Sequence, residues 1–270
     1  MGAIDGHDVG FIAGLMQAHG PKTVVEIGCA SGLSTAMMSH LLSQMGSARL
    51  HSFDLLDYFY ASPDKPLGYL LDEGPDRSGV EVKINPGCTV LDVADRIDGK
   101  IDLCFIDASH EHPWPLIDTL AILPLMRPGG IIVHHDLQMY KGEGNFATGP
   151  KILLDQAFPD SLLRHWAVAP VAGQGQLKTR AMNDNIFALK VNKEVKHTGY
   201  RLANGFYLGW ERNARKGVPD DFADAFCTFL DKTYDPYVRK AFEVGMDRYN
   251  RFEREPDANS DLWDELLKPI

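Results

Sequence analysis

The sequence predicts an α/β fold, with a doubly wound, mostly parallel sheet of seven strands followed by a helical C-terminal extension. Short apolar strand patterns alternate with helical patterns up to about residue 192, an order typical of a parallel sheet covered by helices on both faces. The first strand pattern runs into a turn that holds Gly28 and Gly32 and then into a helix. Aromatic-rich amphipathic helices dominate afterwards. We therefore expect a sheet domain at residues 1–192 and a helical extension, a cap or a dimerisation element, at 193–270.

The predicted elements follow one another along the chain. Asp8 can cap a first helix that runs to His19, where Gly20 and Pro21 end it. Strand patterns lie at Thr23–Ile27, 49–53, 80–84, Ile101–Ile106 and 130–134, and a stretch around 127–130 is expected to stop the helix before the last of these. Two late strands, 164–168 and 185–191, are separated by a loop alone and can pair antiparallel. Helical patterns lie at 34–45, 90–97, 115–126, 150–158, 220–230 and 237–252, and Ser260 can cap a short last helix.

The composition of the chain argues against some classes of binding partner. The formal net charge of −10 argues against a nucleic-acid surface. The chain has no run of about 18 apolar residues, so we expect no membrane span. The four cysteines, which form no C-x-x-C pair, fit a reducing, cytoplasmic setting. Neither a nucleic acid nor a membrane is therefore an expected partner.

The turn at residues 26–32, EIGCASG, indicates what kind of ligand it binds. A Walker A loop needs a Lys-Ser/Thr pair after its glycines, but Leu33 and Ser34 follow here. A dinucleotide loop needs G-x-G-x-x-G, but Ala30 and Leu33 occupy its second and third glycine positions. Glu26, just before the turn, would repel a pyrophosphate. A cationic ligand without phosphate fits better.

Acidic residues and histidines follow other strands of the predicted sheet. Asp54 ends the second strand, where a carboxylate can accept the hydroxyls of a ribose. Asp107 ends the fourth strand and is followed by His110, and the fifth strand runs into His135 and Asp136. With these two strands as neighbours, the four side chains converge at the carboxyl rim of the sheet. Carboxylates and imidazoles together can bind Mg²⁺, Mn²⁺ or Fe²⁺.

The pattern E/D-x-G-x-x-x-G, matched by Glu26, Gly28 and Gly32, resembles the first motif of the class I S-adenosylmethionine (SAM)-dependent methyltransferases. The resemblance covers about residues 20–192 and implies a Rossmann-like sheet. It also implies SAM as the cofactor, a ligand with a positive sulfonium. The residues it assigns to cofactor binding are Glu26, Gly28, Gly32, Ser34, Asp54, Cys88, Thr89 and Asp107.

The strand-end residues are similar to those of metal-dependent small-molecule O-methyltransferases. In the catechol type, an Asp after strand four and an Asp-Asn pair after strand five bind the metal; Asp107 matches the first, and His135-Asp136 stands in place of the pair. The macrolide-sugar type has an Asp-x-x-His segment with a ligand and a general base, a spacing that Asp107 and His110 match. The resemblance implies Asp107, His135 and Asp136 as metal ligands, Mg²⁺ before Mn²⁺ or Fe²⁺, and His110 as the catalytic base.

The expected reaction is methyl transfer to a hydroxyl of a sugar-bearing or phenolic natural product. Trp114 and Tyr140 follow strand ends and are the preferred aromatics for an acceptor pocket, before Tyr58, Phe59, Tyr60 and Trp166. Three other functions stay open. Two histidines beside two carboxylates suit a metal-dependent oxygenase on a similar scaffold. Ala30 and Leu33 stand where a nicotinamide-dependent oxidoreductase would need glycines, which argues against that function. The intact acidic strand ends argue against a non-catalytic binding module.

The aromatics of the extension can cap the acceptor site or form a homodimer interface. The residues considered for this role are Phe206, Tyr207, Trp210, Phe222, Phe226 and Phe229.

Overall fold

The computed structural model describes residues 4–141, 147–164, 185–211 and 217–254. Its sheet has the strand order β3-β2-β1-β4-β5-β7-β6. The strands are β1 (Thr23–Ile27), β2 (Ala48–Phe53), β3 (Val80–Asn85), β4 (Ile101–Ile106), β5 (Met126–His134), β6 (Leu162–Arg164) and β7 (Phe187–Lys190). The helices are α1 (Gly6–His19), α2 (Leu33–Ser43), α3 (Val93–Arg96), α4 (Trp114–Ile122), α5 (Gly149–Gln156), α6 (Val195–Leu202), α7 (Asp220–Thr233) and α8 (Pro236–Arg254).

The strand order determines which edge of the sheet can bind a ligand. Strands β1 to β5 are parallel, while β7 pairs antiparallel with both β5 and β6. From β1 the chain proceeds outward to β2 and β3 and then returns to β4 on the other side of β1. Ligands of open α/β sheets bind at such a switch point, outside the carboxyl ends of the strands. The predicted fold, including the antiparallel late strands, is confirmed.

Both faces of the sheet are covered by helices. On one face Ile12 and Met16 of α1 pack with Met38 of α2 against the strands. On the other face a single core cluster continues from Ile106 of β4 to Phe242 of α8. The C-terminal helices therefore extend the core of the sheet.

The aromatic residues of the C-terminal extension are only partly exposed. Phe206 and Phe226 have no exposed surface, so these two cannot form an exposed face; a role of the extension as a cap or a dimer interface stays a prediction. The burial of these two could not be predicted, because an aromatic helix face gives the same pattern whether it covers its own core or a partner.

The start of α1 differs from the sequence prediction. Asp5, and not Asp8, is the N-cap: the Asp5 carboxylate accepts the amides of His7 and Asp8 at 2.7 and 3.0 Å. Asp8 lies three residues into the helix and accepts the Asp5 amide in return at 3.0 Å. The two acids form a capping box; the Asp8 Oδ2 that accepts the Asp5 amide also lies 3.0 Å from His135 Nε2.

Strand β5 begins earlier than predicted. Residues 127–129, expected to stop a helix, belong to β5, and α4 already ends at Ile122, before a 3-10 turn at Leu123–Leu125. The pairing of β4 with β5 shifts register between Ile101 and Leu103, an irregularity that accommodates the proline and glycines. Helix α6 was not predicted. Two predicted features, the strand residues 165–168 and the cap Ser260, lie outside the described residues. In the described part of the chain, no helix is both long and apolar enough to cross a bilayer.

Candidate active site

The turn after β1 lies directly against the end of β4. Gly28 and Gly32 have φ values of 97° and 82°, in the left-handed region, and Ala30 between them has 47°. A Cβ at Gly28 would lie 2.3 Å from the carbonyl oxygen of Asp107, and one at Gly32 would lie 2.7 Å from the Cα of Gly68. Glycine is therefore required at both positions for the backbone conformation and for close approach.

We expect Gly28→Ala to destabilise the protein and to weaken binding of S-adenosylhomocysteine (SAH). The positive φ costs about 1–2 kcal/mol, and crowding against Asp107 adds about 1–3 kcal/mol. Thermal unfolding and calorimetric titration with SAH measure the two effects. Gly99→Ala is the matched control, because Gly99 has a φ of 89° and no atom within 4 Å of an added Cβ. Equal losses in the two variants would contradict the close approach.

The predicted cofactor residues Glu26 and Ser34 support the turn from within the core. Glu26 is fully buried and accepts hydroxyl hydrogen bonds from Ser34, from Thr35 at 2.5 Å and from Ser52 at 2.6 Å. Burial raises the pKa of Glu26 to about 7, despite these three donors. The carboxylate thus joins β1, β2 and the start of α2. Direct contact of Glu26 and Ser34 with a cofactor stays a prediction.

Asp54 joins the end of β2 to the glycine turn. Its Oδ2 accepts the amides of Cys29 and Ala30, both at 3.0 Å. Its carbonyl accepts the Cys88 amide at 3.0 Å, so the loop after β3 reaches the same place. Thr89 caps a 3-10 turn through reciprocal bonds with Asp92. The structure therefore gathers the predicted cofactor residues of β1, β2 and β3 at one rim, and their contact with SAM stays a prediction.

The ends of β4 and β5 form a compact cluster of two acids and two histidines. One side-chain atom each from Asp107, His110, His135 and Asp136 lies within 4.8 Å of the others. The Nε2 of His110 is 3.2 Å from Asp107 Oδ1 and 3.1 Å from Asp136 Oδ2. The Nδ1 of His135 is 3.3 Å from Asp107 Oδ1. The predicted metal ligands and the predicted base thus come together, at the rim that carries the glycine turn.

Two further residues hold the cluster and were missed as site residues. Asp8 Oδ2 lies 3.0 Å from His135 Nε2, and the Asn185 side-chain amide donates to Asp136 Oδ1 at 2.8 Å. Asn185 could have been found, because it precedes the antiparallel β7, whose start lies at the rim where β5 ends. Nothing in the local sequence connects Asp8 to this site.

Asp136 has a strained backbone. Its φ of 56° places a residue other than glycine in the left-handed region, at a cost of about 1–2 kcal/mol. Such strain concentrates at functional sites, where the surrounding structure enforces it.

The histidines of the cluster act as cations in the metal-free protein. Burial lowers the pKa of His110, but hydrogen bonds with Asp107 and Asp136 outweigh it and raise the pKa to about 9. Against the same effect of burial, Asp107 and Asp8 raise the pKa of His135 to about 10. The pKa of Asp107 is held well below its ordinary range, because the two histidines outweigh its burial.

We expect the thermal stability of the metal-free protein to fall as the pH rises. The histidines have a pKa of about 6.5 in the unfolded chain, and of about 9 and about 10 in the fold. Their stabilisation is therefore complete below about pH 6.5 and is lost as the pH rises through the folded values. Scanning calorimetry in EDTA across this window measures the effect, which His110→Gln should reduce. A midpoint that does not change with pH would contradict the charged cluster.

The other histidines near the cluster are structural. His134 points to the opposite face of the sheet, where its Nε2 lies 3.0 Å from Thr119 Oγ1 and its ring stacks on Phe187. Burial lowers the pKa of His134 to about 3 and that of His112 to about 4. His134 is therefore part of the core and is not a member of the cluster.

The Tyr60 phenol lies within the electrostatic reach of the acids at the rim. Its side chain is on the segment after β2, and the residue is 44% exposed. Burial raises the pKa of its phenol, and the charges of Asp107, Asp136 and Asp54 raise it further. Trp114 instead packs on Phe222 of α7, with ring centroids 5.3 Å apart, and Trp166 lies outside the described residues. Tyr60 is therefore a better candidate than Trp114 for lining an acceptor pocket.

Comparison with known proteins identifies the central part of the chain. Residues 25–137 match the family model of a methyltransferase domain, a range that starts in β1 and ends just after Asp136. No curated protein matches the chain.

The solved structures that are similar to the chain include two O-methyltransferases. An O-methyltransferase from Bacillus cereus in complex with SAH is 16% identical and has a TM-score of 0.49, with 71% of this chain and 83% of that chain covered. The O-methyltransferase TomG from Streptomyces achromogenes is also 16% identical and has a TM-score of 0.45, with 70% and 81% covered.

Proposed function

We propose, for a chain whose residues 25–137 match a methyltransferase-domain model, that it transfers the methyl group of SAM to a hydroxyl of a small molecule. The match supports the predicted class, a SAM-dependent methyltransferase. The proposal adds a divalent metal held by Asp107, His135 and Asp136, with His110 as the base. The observation that carries it is the convergence of these four side chains within 4.8 Å of one another, beside the glycine turn.

The residues present fit a divalent cation. Two carboxylates and imidazole nitrogens are a donor set for Mg²⁺, Mn²⁺ or Fe²⁺, with nitrogen content favouring the softer ions. Metal-bound histidines usually donate their other ring N–H to a carboxylate, and Asp8 stands 3.0 Å from His135 Nε2, on the side away from the cluster. Asn185 orients Asp136 in the same way. A bound divalent cation lowers the pKa of a hydroxyl that coordinates it.

Residues of the chain would bind the cofactor, align the acceptor and take its proton. The glycine turn, which packs on Asp107 and Gly68, would form one wall of the site for the methionine part of SAM, which supplies the methyl group. Asp54, at the end of β2, would accept the hydroxyls of the ribose. Alignment of the acceptor with the methyl group can supply much of the rate, up to about 7–11 kcal/mol. His110 Nε2 faces the cluster and can take the proton of the acceptor hydroxyl.

The test is a methyl-transfer assay with and without metal. The protein is treated with EDTA, desalted and supplied with radiolabelled SAM and either catechol or a methyl glycoside as the acceptor. We expect transfer to one of the two after addition of Mg²⁺, Mn²⁺ or Fe²⁺, and little transfer without them. An unchanged rate after complete metal removal would overturn the metal part. SAH that does not bind in calorimetry would overturn methyl transfer itself.

The donor set also supports a second candidate function. Two imidazoles beside carboxylates are the ligand types of non-haem Fe²⁺ oxygenases, and His110 and His135 both face the cluster. Oxygen uptake with Fe²⁺ and the same acceptors, without labelled methyl in the product, would favour that function over methyl transfer.

A further inference from the structure

Glu211, in the C-terminal part of the chain, binds two loops at the carboxyl rim of the sheet. Its Oε1 accepts the backbone amide and the hydroxyl of Thr148. Its Oε2 accepts the amide of His112 at 3.3 Å, and its own amide donates to the carbonyl oxygen of His112 at 3.0 Å. Four hydrogen bonds thus join one residue to the segment after β4 and to the start of α5.

The two loops that Glu211 binds also contact each other, at His110. The Gly149 amide donates to the carbonyl oxygen of His110 at 3.1 Å. A Cβ at Gly149 would lie 2.5 Å from that oxygen, so the approach is close. The same His110 directs its Nε2 at Asp107 and Asp136. Its backbone is therefore held by the structure that Glu211 completes, while its side chain faces the cluster.

Glu211 is itself anchored in the C-terminal core through its neighbour Trp210. The Trp210 indole donates to the carbonyl oxygen of Phe206 at 3.2 Å, and its ring packs on Phe242 with centroids 5.5 Å apart. A Cβ at Gly245 of α8 would lie 2.6 Å from the indole nitrogen. The helices after residue 193 thus give Glu211 a fixed position.

We propose that Glu211 is a positioning residue, through which the C-terminal part holds the loop that carries His110. This rests on the proposed function, since it assumes that the reaction uses His110. A displacement of about 1 Å at a catalytic group can cost about 100-fold in rate. Glu211 makes no hydrogen bond that the structure shows to Asp107, His135 or Asp136, so metal and cofactor binding should not depend on it.

The test compares Glu211→Ala and Glu211→Gln with a matched control. The glutamine keeps one oxygen for Thr148 but presents an N–H group to the His112 amide, so its effect should be intermediate. Glu243→Gln is the control, because Glu243 is a carboxylate of α8 whose contact, with Arg239 Nε at 2.8 Å, is remote from the rim. The readouts are kcat and KM for the acceptor, calorimetric binding of Mn²⁺ and SAH, the unfolding midpoint, and hydrogen exchange.

For Glu211→Ala we expect kcat to fall roughly 10- to 100-fold, with unchanged affinity for Mn²⁺ and SAH. Amide exchange should increase around His112 and Thr148 and stay unchanged in β1 and β2. A lower unfolding midpoint with unchanged kcat and unchanged local exchange would show a merely structural role and overturn the proposal. If the wild-type protein transfers no methyl group, the proposed function fails. Unchanged exchange at His112 would then overturn the positioning role separately.

Discussion

We expect Asp107→Asn to remove metal binding and, with it, methyl transfer. Asp107 Oδ1 is shared by His110 at 3.2 Å and His135 at 3.3 Å, so the carboxylate stands at the centre of the cluster. Asparagine has the shape of aspartate but no charge, and its side-chain NH₂ group can face the ring N–H groups of His110 and His135, which cannot accept a hydrogen bond. Replacing a partner of a metal ligand typically costs about 10–100-fold in metal affinity. Loss of a ligand should exceed that range.

Calorimetric titration with Mn²⁺ measures this loss, and the radiolabel assay follows the activity. Asp98→Asn is the matched control, because Asp98 precedes β4, at the opposite end of the strand from Asp107, and is exposed. The control should bind Mn²⁺ and transfer methyl groups like the wild type. An Asp107→Asn variant with wild-type Mn²⁺ affinity would remove Asp107 from the ligand set and leave no basis for a metal at this rim.

The strand ends explain why so much of the site could be predicted. A parallel sheet brings the carboxyl ends of its strands to one rim, so residues that follow β4 and β5 must meet wherever the two strands are neighbours. The positions of Asp107, His110, His135 and Asp136 depend only on this rule and on the strand order. The turn at Gly28 is readable for the same local reason, since only a residue without a side chain fits there.

The missed residues depend on packing between distant parts of the chain. Asp8 reaches His135 because α1 crosses the sheet at one particular place, and Glu211 reaches His112 because the C-terminal helices dock on the second face. No local pattern encodes these docking positions. Glu26 belongs to a motif that the local sequence shows, but its contacts are not local. The three hydroxyls that it accepts come from α2 and β2, so in the structure it supports the turn.

The second large effect is expected for His110→Gln, with a fall in kcat of about 10²–10⁴-fold. Glutamine can still donate to Asp107 and Asp136 but cannot take a proton from the acceptor hydroxyl. If His110 is the base and not a ligand, the SAH affinity stays close to that of the wild type, and the Mn²⁺ affinity does not fall, because no His110 proton competes with the ion. A parallel loss of Mn²⁺ affinity would instead make it a metal ligand. His197→Gln, at an exposed histidine of α6, is the control.

The pKa of His110 makes the metal and the base depend on each other. In the metal-free protein, hydrogen bonds to Asp107 and Asp136 overcome the effect of burial and hold this pKa at about 9, so the imidazole carries a proton at neutral pH and cannot act as a base. A cation that binds the same two carboxylates competes with that proton and lowers the pKa. The proton of His135, whose pKa is about 10, competes in the same way. Mn²⁺ affinity should therefore increase with pH through about 9 and 10 in the wild type, and less steeply in His110→Gln. Equal pH dependence in both proteins, measured by calorimetry, would show that His110 does not exchange its proton for the metal.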